Sequence, residues 1–249
     1  MEKNERKYPP VSGMSREQHE GVVTDIFSSV SRSYDILNRF LSMRRDVAWR
    51  RALVGRMRFF RTCRLLDVAT GTADVALEAA RRYPGIEITG LDPSAAMLEV
   101  GREKVAMAGL SRRITLIEGD ALNLPYPGAS FDAVSVAFGM RNIPDKAGAL
   151  REMMRVAVPG GAVMVLEMGL PESGLFREVY IRHLGKVMPA MARVFSSNPA
   201  AYEYLADSII NFPGPREFKS LMESAGLADI EITELTLGIT RLFVGRKFE

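Results

Sequence analysis

Two aspartates mark the part of this sequence best suited to do chemistry. Asp67 lies near the end of a short apolar run that begins at Arg64, and Asp92 ends a second apolar run that begins at Ile86. Small residues follow the first run, with Gly71 at the centre of the turn. A strand, a small-residue turn, a helix and a second strand ending in an acidic residue are typical of a nucleotide-cofactor site at the carboxyl ends of two parallel strands.

The same turn distinguishes between two kinds of cofactor. A dinucleotide-binding turn would have glycines at the positions of Ala69, Gly71 and Asp74, and only Gly71 matches. An acidic side chain at Asp74 would repel a pyrophosphate, whereas S-adenosylmethionine carries no phosphate. The sequence therefore favours S-adenosylmethionine, with close approach of the backbone at Gly71 and both ribose hydroxyls bound by Asp92. Asp67 is expected either to order the loop or to face the cofactor's ammonium group.

Three further residues are candidates for binding this cofactor. Asp120 and Ala121 follow the third predicted strand. The Asp120 carboxylate can accept a hydrogen bond from the adenine amino group, and Ala121 leaves room for the ring. Thr72 can bond the cofactor's carboxylate through its hydroxyl or its backbone. The alternative is an ordinary strand, turn and helix whose acidic residues hold no ligand.

The composition is that of one globular domain with a large core. The chain has 249 residues, 47% of them apolar and 25% charged, and its net charge of only +3 argues against a protein that binds polyanions. The single cysteine, Cys63, excludes a disulfide framework and a cysteine-rich metal site. No apolar run approaches the ~18 residues of a membrane-spanning helix. The polar residues 1–20, with Pro9 and Pro10, predict a disordered tail and not a signal peptide.

Alternating strand and helix patterns predict an α/β fold. Residues 21–249 are expected to form one domain, with N-terminal helices over 21–62, a break at Asn38, and a helical insertion over 174–211. The alternation predicts a mostly parallel sheet covered on both faces, and a final hairpin makes the last strand antiparallel. The expected strands are 64–69, 86–91, 113–118, 131–137, 162–168, 228–235 and 239–246, and the expected helices among them are 73–82, 94–108, 145–156 and 215–226.

Several segments carry a resemblance to a known family. The most specific are 137–143, which contains Phe-Gly-Met-Arg-Asn, and 202–213, which begins Tyr-Glu-Tyr-Leu. The loop 66–74 and the Pro-Gly-Gly turn at 159–161 occur more widely among methyltransferases. From about residue 22 to the C-terminus, the chain resembles the ubiquinone/menaquinone biosynthesis C-methyltransferases.

The first loop departs from the family's pattern. It usually reads Gly-Gly-Thr-Gly-Asp, and here Thr70 and Ala73 stand in place of two glycines. Because a β-branched residue resists positive φ, the turn is expected to differ slightly in shape. The histidine that usually follows the N-terminal motif is also missing from 45–49.

The resemblance implies both a fold and a reaction. The fold is the Rossmann-like class I S-adenosylmethionine-dependent methyltransferase fold, with a seven-stranded sheet. The reaction is transfer of a methyl group to a ring carbon of a prenylated quinol, with demethylmenaquinol as the first expectation. A dual ubiquinone and menaquinone enzyme, or one acting on another aromatic lipid, stays open. A sulfonium methyl is already activated, so no metal is expected.

The loop after the fourth strand is the preferred chemical site. Ala137, at the end of that strand, is a candidate for binding the cofactor, and Arg141 and Asn142 are candidates for catalysis because the carboxyl ends of the strands face the methyl group. A guanidinium stays protonated, so Arg141 would stabilise the quinolate or hold a water that takes the proton, unless it only closes the loop as a salt bridge. Asn142 would orient the substrate oxygen. Asp74 is a candidate base, or else an acid stabilised in the first turn of its helix; His183 is a less favoured base.

A basic segment suggests contact with a membrane. From Arg44 to Arg64 there are eight arginines and one acidic residue, Asp46, interleaved with apolar residues that include Trp49. Such a segment can lie on an anionic membrane surface, in which case the protein would be cytoplasmic and would bind the inner face of the membrane. The segment can equally be a packed helix with a basic exposed face. The insertion is rich in apolar residues and is expected either to form a lid over a prenyl tail or to be simple core.

Two other classes of protein are less consistent with the sequence. Carbon methylation of pyrimidines usually needs a cysteine nucleophile, and Cys63 precedes the first strand, so no nucleic-acid partner is expected. Acidic residues at both cofactor strands argue against a non-catalytic cofactor-binding protein. A homodimer is left open.

Overall fold

The computed structural model describes residues 7–32, 34–172, 174–187 and 198–248. Within them seven strands form one sheet in the order β3-β2-β1-β4-β5-β7-β6, and β7 is antiparallel to both of its neighbours. The predicted mostly parallel sheet with an antiparallel last strand is thereby confirmed. The strands are β1 (Arg64–Val68), β2 (Glu87–Asp92), β3 (Ile114–Glu118), β4 (Phe131–Ala137), β5 (Ala157–Met168), β6 (Leu227–Leu235) and β7 (Thr240–Lys247).

Helices cover both faces of this sheet. They are α1 (Arg16–Val30), α2 (Tyr34–Leu41), α3 (Arg45–Val54), α4 (Asp74–Arg82), α5 (Ala95–Met107), α6 (Lys146–Val156), α7 (Leu175–Arg182), α8 (Ala200–Ile210) and α9 (Pro215–Ser224). Buried residues of α3, α4 and α5 pack on one face, and those of α6 and α9 on the other. The central strands β1 and β4 are therefore buried along almost their whole length, as strands covered on both faces are.

The order of the strands creates the crevice in which a ligand can bind. β1 lies between β2 and β4, so the chain runs outward in opposite directions from this point. Val68 pairs with Leu91 on one side and with Val136 on the other, so the three strands end at one edge. Ligands of open α/β sheets bind outside the carboxyl ends of the strands at such a switch point.

The N-terminus differs from its prediction. The expected disordered tail of residues 1–20 contains a short 3₁₀ turn, Val11–Gly13, and the first five residues of α1. Ser15 caps α1 through a reciprocal capping box with Gln18, which gives this polar stretch a defined helix start. Residues 1–6 lie outside the described part of the chain.

The breaks between the N-terminal helices also differ from their prediction. Asn38 lies inside α2, and the chain breaks instead on either side of that helix, with Met43 and Arg44 at positive φ. α3 ends at Val54, so the helical region stops before the predicted residue 62.

A third group of buried residues forms a helical cap above the carboxyl edge of the sheet. We use "the cap" for α1, α7, the π-helical turn His183–Val187 and α8. It is held together by Ile26, Val30, Tyr180, Leu184, Ala201, Tyr202, Tyr204, Ala206 and Ile209. Residues 188–197 of the predicted insertion lie outside the described residues. Among the residues described, no helix is both long and apolar enough to cross a bilayer.

Candidate active site

A cavity of about 340 Å³ opens where β1, β2 and β4 end, and we call it the cofactor cavity. Gly71, Asp92 and Ala137 line it from the three strand ends. Asp120 and Ala121 line it from the loop after β3. Five of the predicted cofactor-binding residues are thus brought to one cavity, as the adjacent strand ends require.

Asp92 and Gly71 form the centre of this cavity. The Gly71 N–H donates to Asp92 Oδ2 over 2.8 Å, and the Ser94 N–H donates to Oδ1 over 2.9 Å. Each carboxylate oxygen keeps a second lone pair, which suits two ribose hydroxyls. Gly71 has a φ of +57°, and a Cβ there would lie 3.2 Å from Met97 Cε, so the tight turn depends on glycine. Burial raises the pKa of Asp92.

The first loop tolerates its missing glycines in two ways. Ala73 adopts a φ of 65° as the residue before α4, whereas Thr70 stays out of the positive-φ region. The Thr70 hydroxyl donates to Asp67 Oδ2 over 2.7 Å, and the Ser135 hydroxyl donates to Oδ1 over 2.8 Å. Asp67 therefore orders the loop and ties β1 to β4, and it does not line the cofactor cavity. Burial raises its pKa to about 6.

Thr72 and Asp74 belong to a buried polar cluster beside the cofactor cavity. Lys104 Nζ lies 2.6 Å from Asp35 Oδ2, 2.5 Å from Asp74 Oδ1 and 3.1 Å from Thr72 Oγ1. The Thr72 hydroxyl donates to Asp35 Oδ1 over 2.6 Å. We call these four residues the Lys104 cluster; it ties α2 to α4 and α5.

This placement corrects two expectations. Neither Thr72 nor Asp74 lines the cofactor cavity, because their side chains turn to Lys104 and Asp35. Burial alone would raise the pKa of Asp74, but Arg50 and Lys104 outweigh it and lower the pKa below its usual value. A carboxylate in that state is a poor proton acceptor, so Asp74 does not suit the role of base.

The adenine end of the cavity is more open than its centre. Asp120 is exposed, and its Oδ1 accepts from the Leu122 N–H over 2.9 Å. Its other oxygen lies 3.9 Å from an Arg16 nitrogen on α1. Ala121 is buried and leaves the space that a flat ring needs. The sequence did not identify Arg16, because it falls in the stretch predicted to be disordered.

A second cavity of about 320 Å³ lies behind the first, and we call it the acceptor cavity. Tyr34 and Phe138 line both cavities, so their rings form the wall between them. Phe138 has a φ of 58° and donates its N–H to the carbonyl of Leu166 over 2.8 Å. Most of the remaining lining is apolar and comes from α2, α3, α7 and α8. A large apolar molecule can therefore reach the wall from the side opposite the cofactor.

Arg141 faces the acceptor cavity from a short 3₁₀ turn, Met140–Asn142. Its Nη1 donates to Glu167 Oε1 and to the Phe138 carbonyl, both over 2.6 Å, and its N–H donates to Glu167 Oε2 over 3.0 Å. Burial alone would lower the pKa of Arg141, but Glu167 and nearby tyrosines outweigh it and raise the pKa, so the guanidinium stays charged. Arg141 therefore forms the salt bridge that was one of its two predicted roles, and it is also a charged group that lines the acceptor cavity.

Asn142 is half-buried and lines the cofactor cavity. Its Oδ1 accepts from the Tyr204 hydroxyl over 3.1 Å. His183 lies exposed at the acceptor cavity. Phe138 lies in the segment 137–143 that carries the family resemblance, yet only the fold reveals that it shares one wall with Tyr34. Among the residues described, no group of histidine, cysteine, aspartate or glutamate is arranged to hold a metal.

The sequence matches a family model over nearly its whole length. The model is that of the ubiE/COQ5 methyltransferase family, and it covers residues 14–247. The chain belongs to this family. The chain is 42% identical over 226 residues to the ubiquinone/menaquinone biosynthesis C-methyltransferase UbiE of Geobacter sulfurreducens. The aligned region covers 90% of this chain and 88% of the relative. The chain is also 42% identical over 239 residues to the demethylmenaquinone methyltransferase of Deinococcus radiodurans, covering 96% and 97%.

A solved structure agrees with the fold. An S-adenosylmethionine-dependent methyltransferase of Thermotoga maritima, described as a possible histamine N-methyltransferase, superimposes with a TM-score of 0.63. The match covers 90% of this chain and 99% of that one at 21% identity. This chain therefore has the class I fold. Its membership of the ubiE/COQ5 methyltransferase family makes S-adenosylmethionine the methyl donor, and Asp92 and Gly71 are suited to bind the ribose of that donor and to let it approach the backbone.

We expect Asp92→Ala to weaken S-adenosylmethionine binding by about 100-fold, because two hydrogen bonds to a charged acceptor are lost. Glu118→Ala is the matched control: Glu118 ends β3 directly beside Asp92 but is exposed and outside the cavity. Titration calorimetry measures both dissociation constants. An Asp92→Ala affinity within threefold of wild type would contradict this placement of the ribose.

Proposed function

We propose that this methyltransferase transfers the methyl group of S-adenosylmethionine to a ring carbon of a prenylated quinol, with demethylmenaquinol as the acceptor. The family and the names of the relatives from Geobacter sulfurreducens and Deinococcus radiodurans support quinone-ring methylation. The observation that carries the proposal is the pair of cavities that meet at Tyr34 and Phe138. One suits a nucleoside, and the other suits a large apolar molecule, with the cations of Arg50 and Arg141 beside the wall.

The acceptor cavity suits an aromatic ring with a long apolar tail. Its lining includes Trp49, Met168, Leu184 and Ile209, and it extends to the exposed face of α7. Water is excluded near the wall because Trp49 and Phe138 are both buried, with ring centroids 6.0 Å apart. Exclusion of water strengthens the electrostatic interactions of a charged intermediate.

Arg141 supplies the charge that the acceptor needs. When bound, S-adenosylmethionine provides an activated methyl group, so the protein must make the ring carbon a better nucleophile. Loss of a proton from the neighbouring hydroxyl, whose pKa is about 10 in a free phenol, does this. Arg141 stays charged and lines the acceptor cavity, so it can stabilise the quinolate oxygen or hold the water that takes the proton.

A methyl-transfer assay tests the proposal. Purified protein is incubated in detergent with labelled S-adenosylmethionine and either reduced demethylmenaquinol or the reduced demethyl ubiquinol precursor. We expect label in the naphthoquinol. We also expect Arg141→Lys to lower kcat by at least about tenfold, because a lysine ammonium cannot keep the contacts of Nη1 with Glu167 Oε1 and the Phe138 carbonyl and also present a planar guanidinium to the acceptor cavity.

The remaining outcomes of that assay are distinct. Label in both acceptors would mean an enzyme of both quinone pathways. No label in either acceptor, with cofactor binding shown by calorimetry, would contradict the proposed substrate class. Arg151→Lys is the matched control for the arginine change, since Arg151 is exposed on α6 and lines neither cavity.

Most of the predicted membrane segment packs against the protein. Trp49, Leu53 and Val54 are buried in the core, so these side chains are not free to enter a bilayer, whereas Phe60 is 58% exposed. Further exposed apolar side chains lie at the mouth of the acceptor cavity. Met43 is 78% exposed and Val179 is 51% exposed, and both line that cavity.

We infer that the mouth of the acceptor cavity rests on an anionic membrane surface at the inner face of the cell membrane. Met43 stands directly beside Arg44 and Arg45, so apolar and cationic groups alternate there. A prenylated quinol could then enter the cavity without leaving the bilayer. A homodimer and the absence of a nucleic-acid partner stay predictions.

Flotation with vesicles tests this surface. We expect the double variant Met43→Ser/Val179→Ser to bind vesicles containing anionic phospholipid at least about fivefold more weakly than wild type. Met107→Ser is the matched control, because Met107 is 80% exposed on α5 and lines neither cavity. Equal flotation of all three proteins would contradict the proposed orientation. So would vesicle binding by the wild type that stays the same when salt is added or when the anionic phospholipid is replaced by neutral lipid.

A further inference from the structure

A chain of three polar side chains connects the N-terminal helix to the loop after β4. His19 Nε2 on α1 lies 2.8 Å from Tyr204 Oη on α8, and that hydroxyl lies 3.1 Å from Asn142 Oδ1. His19 and Tyr204 are only 5% and 6% exposed. Because the histidine and the tyrosine are 185 positions apart in the sequence, only the folded cap brings them together.

The chemistry of these groups determines which atom donates and which accepts in each of the two hydrogen bonds. A phenol has a single proton, and here it goes to Asn142 Oδ1, which can only accept. The Tyr204 oxygen must therefore accept from His19, and His19 must carry its proton on Nε2. Burial and nearby Lys146 lower the pKa of His19, and burial raises the pKa of Tyr204, so both groups stay neutral.

The hydrogen bond from Tyr204 determines how the Asn142 amide faces the cavity. With Oδ1 turned to Tyr204, the Nδ2 group points away from the hydroxyl. In the described part of the protein, Nδ2 has no protein acceptor, and Asn142 lines the cofactor cavity near the wall formed by Tyr34 and Phe138. An amide whose oxygen is fixed and whose nitrogen is free presents two N–H donors to a ligand.

We propose that His19 and Tyr204 are positioning residues, which hold Asn142 so that its Nδ2 group donates to a ring oxygen of the methyl acceptor. This inference rests on the proposed function. The ring oxygen gains negative charge as the neighbouring carbon becomes nucleophilic, so a donor fixed in advance binds the transition state more tightly than the neutral quinol. His19 and Tyr204 line neither the cofactor cavity nor the acceptor cavity, so they act through Asn142.

Removal of one hydroxyl tests the chain. Tyr204→Phe keeps the ring packed in the cap but removes the donor to Asn142. We expect kcat to fall about tenfold, while the dissociation constant of S-adenosylmethionine stays within twofold. Tyr126→Phe is the matched control, because Tyr126 is half-buried against Phe131 and lines neither cavity; both constants should stay at wild-type values.

Coupling between the residues separates positioning from simple support of the fold. In an Asn142→Ala background, Tyr204→Phe should have no further effect on kcat, because the residue it acts through is gone. His19→Gln keeps an N–H donor at the same reach and should retain most of the activity, whereas His19→Leu should lose as much as Tyr204→Phe. The same fall in kcat from Tyr204→Phe in both backgrounds would overturn the proposal.

Nuclear magnetic resonance tests the chain without turnover. The sequence contains only two histidines, so a ¹⁵N-histidine spectrum resolves His19 from His183. We expect His19 as the neutral tautomer with its proton on Nε2, and a changed tautomer ratio in Tyr204→Phe. A proton on Nδ1 of His19 in the wild type would contradict the proposed hydrogen bonds from His19 to Tyr204 and from Tyr204 to Asn142. If the wild type methylated no quinol but showed the Nε2 tautomer, the proposed substrate would be wrong while these hydrogen bonds would be supported.

Discussion

The site depends on one buried carboxylate, Glu167. This side chain is 1% exposed, and it accepts from the Arg141 guanidinium, from the Arg141 N–H, and from the Met168 N–H over 2.9 Å. Leaving a buried charge unpaired is costly, so the loop after β4 has to bring Arg141 back to β5. Along this loop Phe138 has positive φ and lines both cavities, and Asn142 lines the cofactor cavity. The ion pair between Glu167 and Arg141 thus holds a loop in which Phe138 forms part of the wall, Arg141 provides the charge and Asn142 provides an amide.

The cap and the other N-terminal helices contribute side chains to the cavities that the sheet does not supply. The sheet alone supplies the strand ends that suit the nucleoside part of the cofactor. Tyr34, His19 and Tyr204 come from helices outside the sheet, and they reach the wall or the loop beneath it. The Lys104 cluster fixes α2 to the sheet domain through Asp35, so the residue next to Tyr34 is held by two close polar contacts. Assembly of the cavities is therefore coupled to docking of the N-terminal helices, the part of the chain with the weakest sequence signal.

The sequence predicts the fold better than it predicts the site. β4 has its expected bounds, and Asp92 and Gly71 lie in one cavity, because strand pattern and turn chemistry are local properties. Asp74 was misjudged because the partner that occupies it, Lys104, lies 30 positions away, and no local pattern reports that pairing. The stretch 1–20, which contains His19, was predicted to be disordered for a related reason: a buried polar residue with a distant hydrogen-bond partner has the sequence signature of a solvated tail. Long-range polar pairing is the information that a single sequence lacks.

The central claim is that Glu167 holds the loop on which donor and acceptor meet, without itself binding the donor. The most direct measurement compares Glu167→Gln with wild type in the rate of methyl transfer and in the affinity for S-adenosylmethionine. Glutamine keeps one acceptor oxygen but removes the charge that fixes Arg141. Our account predicts a fall in kcat of about 100-fold, with cofactor affinity within about threefold. An unchanged rate, or an equal loss of rate and cofactor affinity in a folded variant, would contradict it.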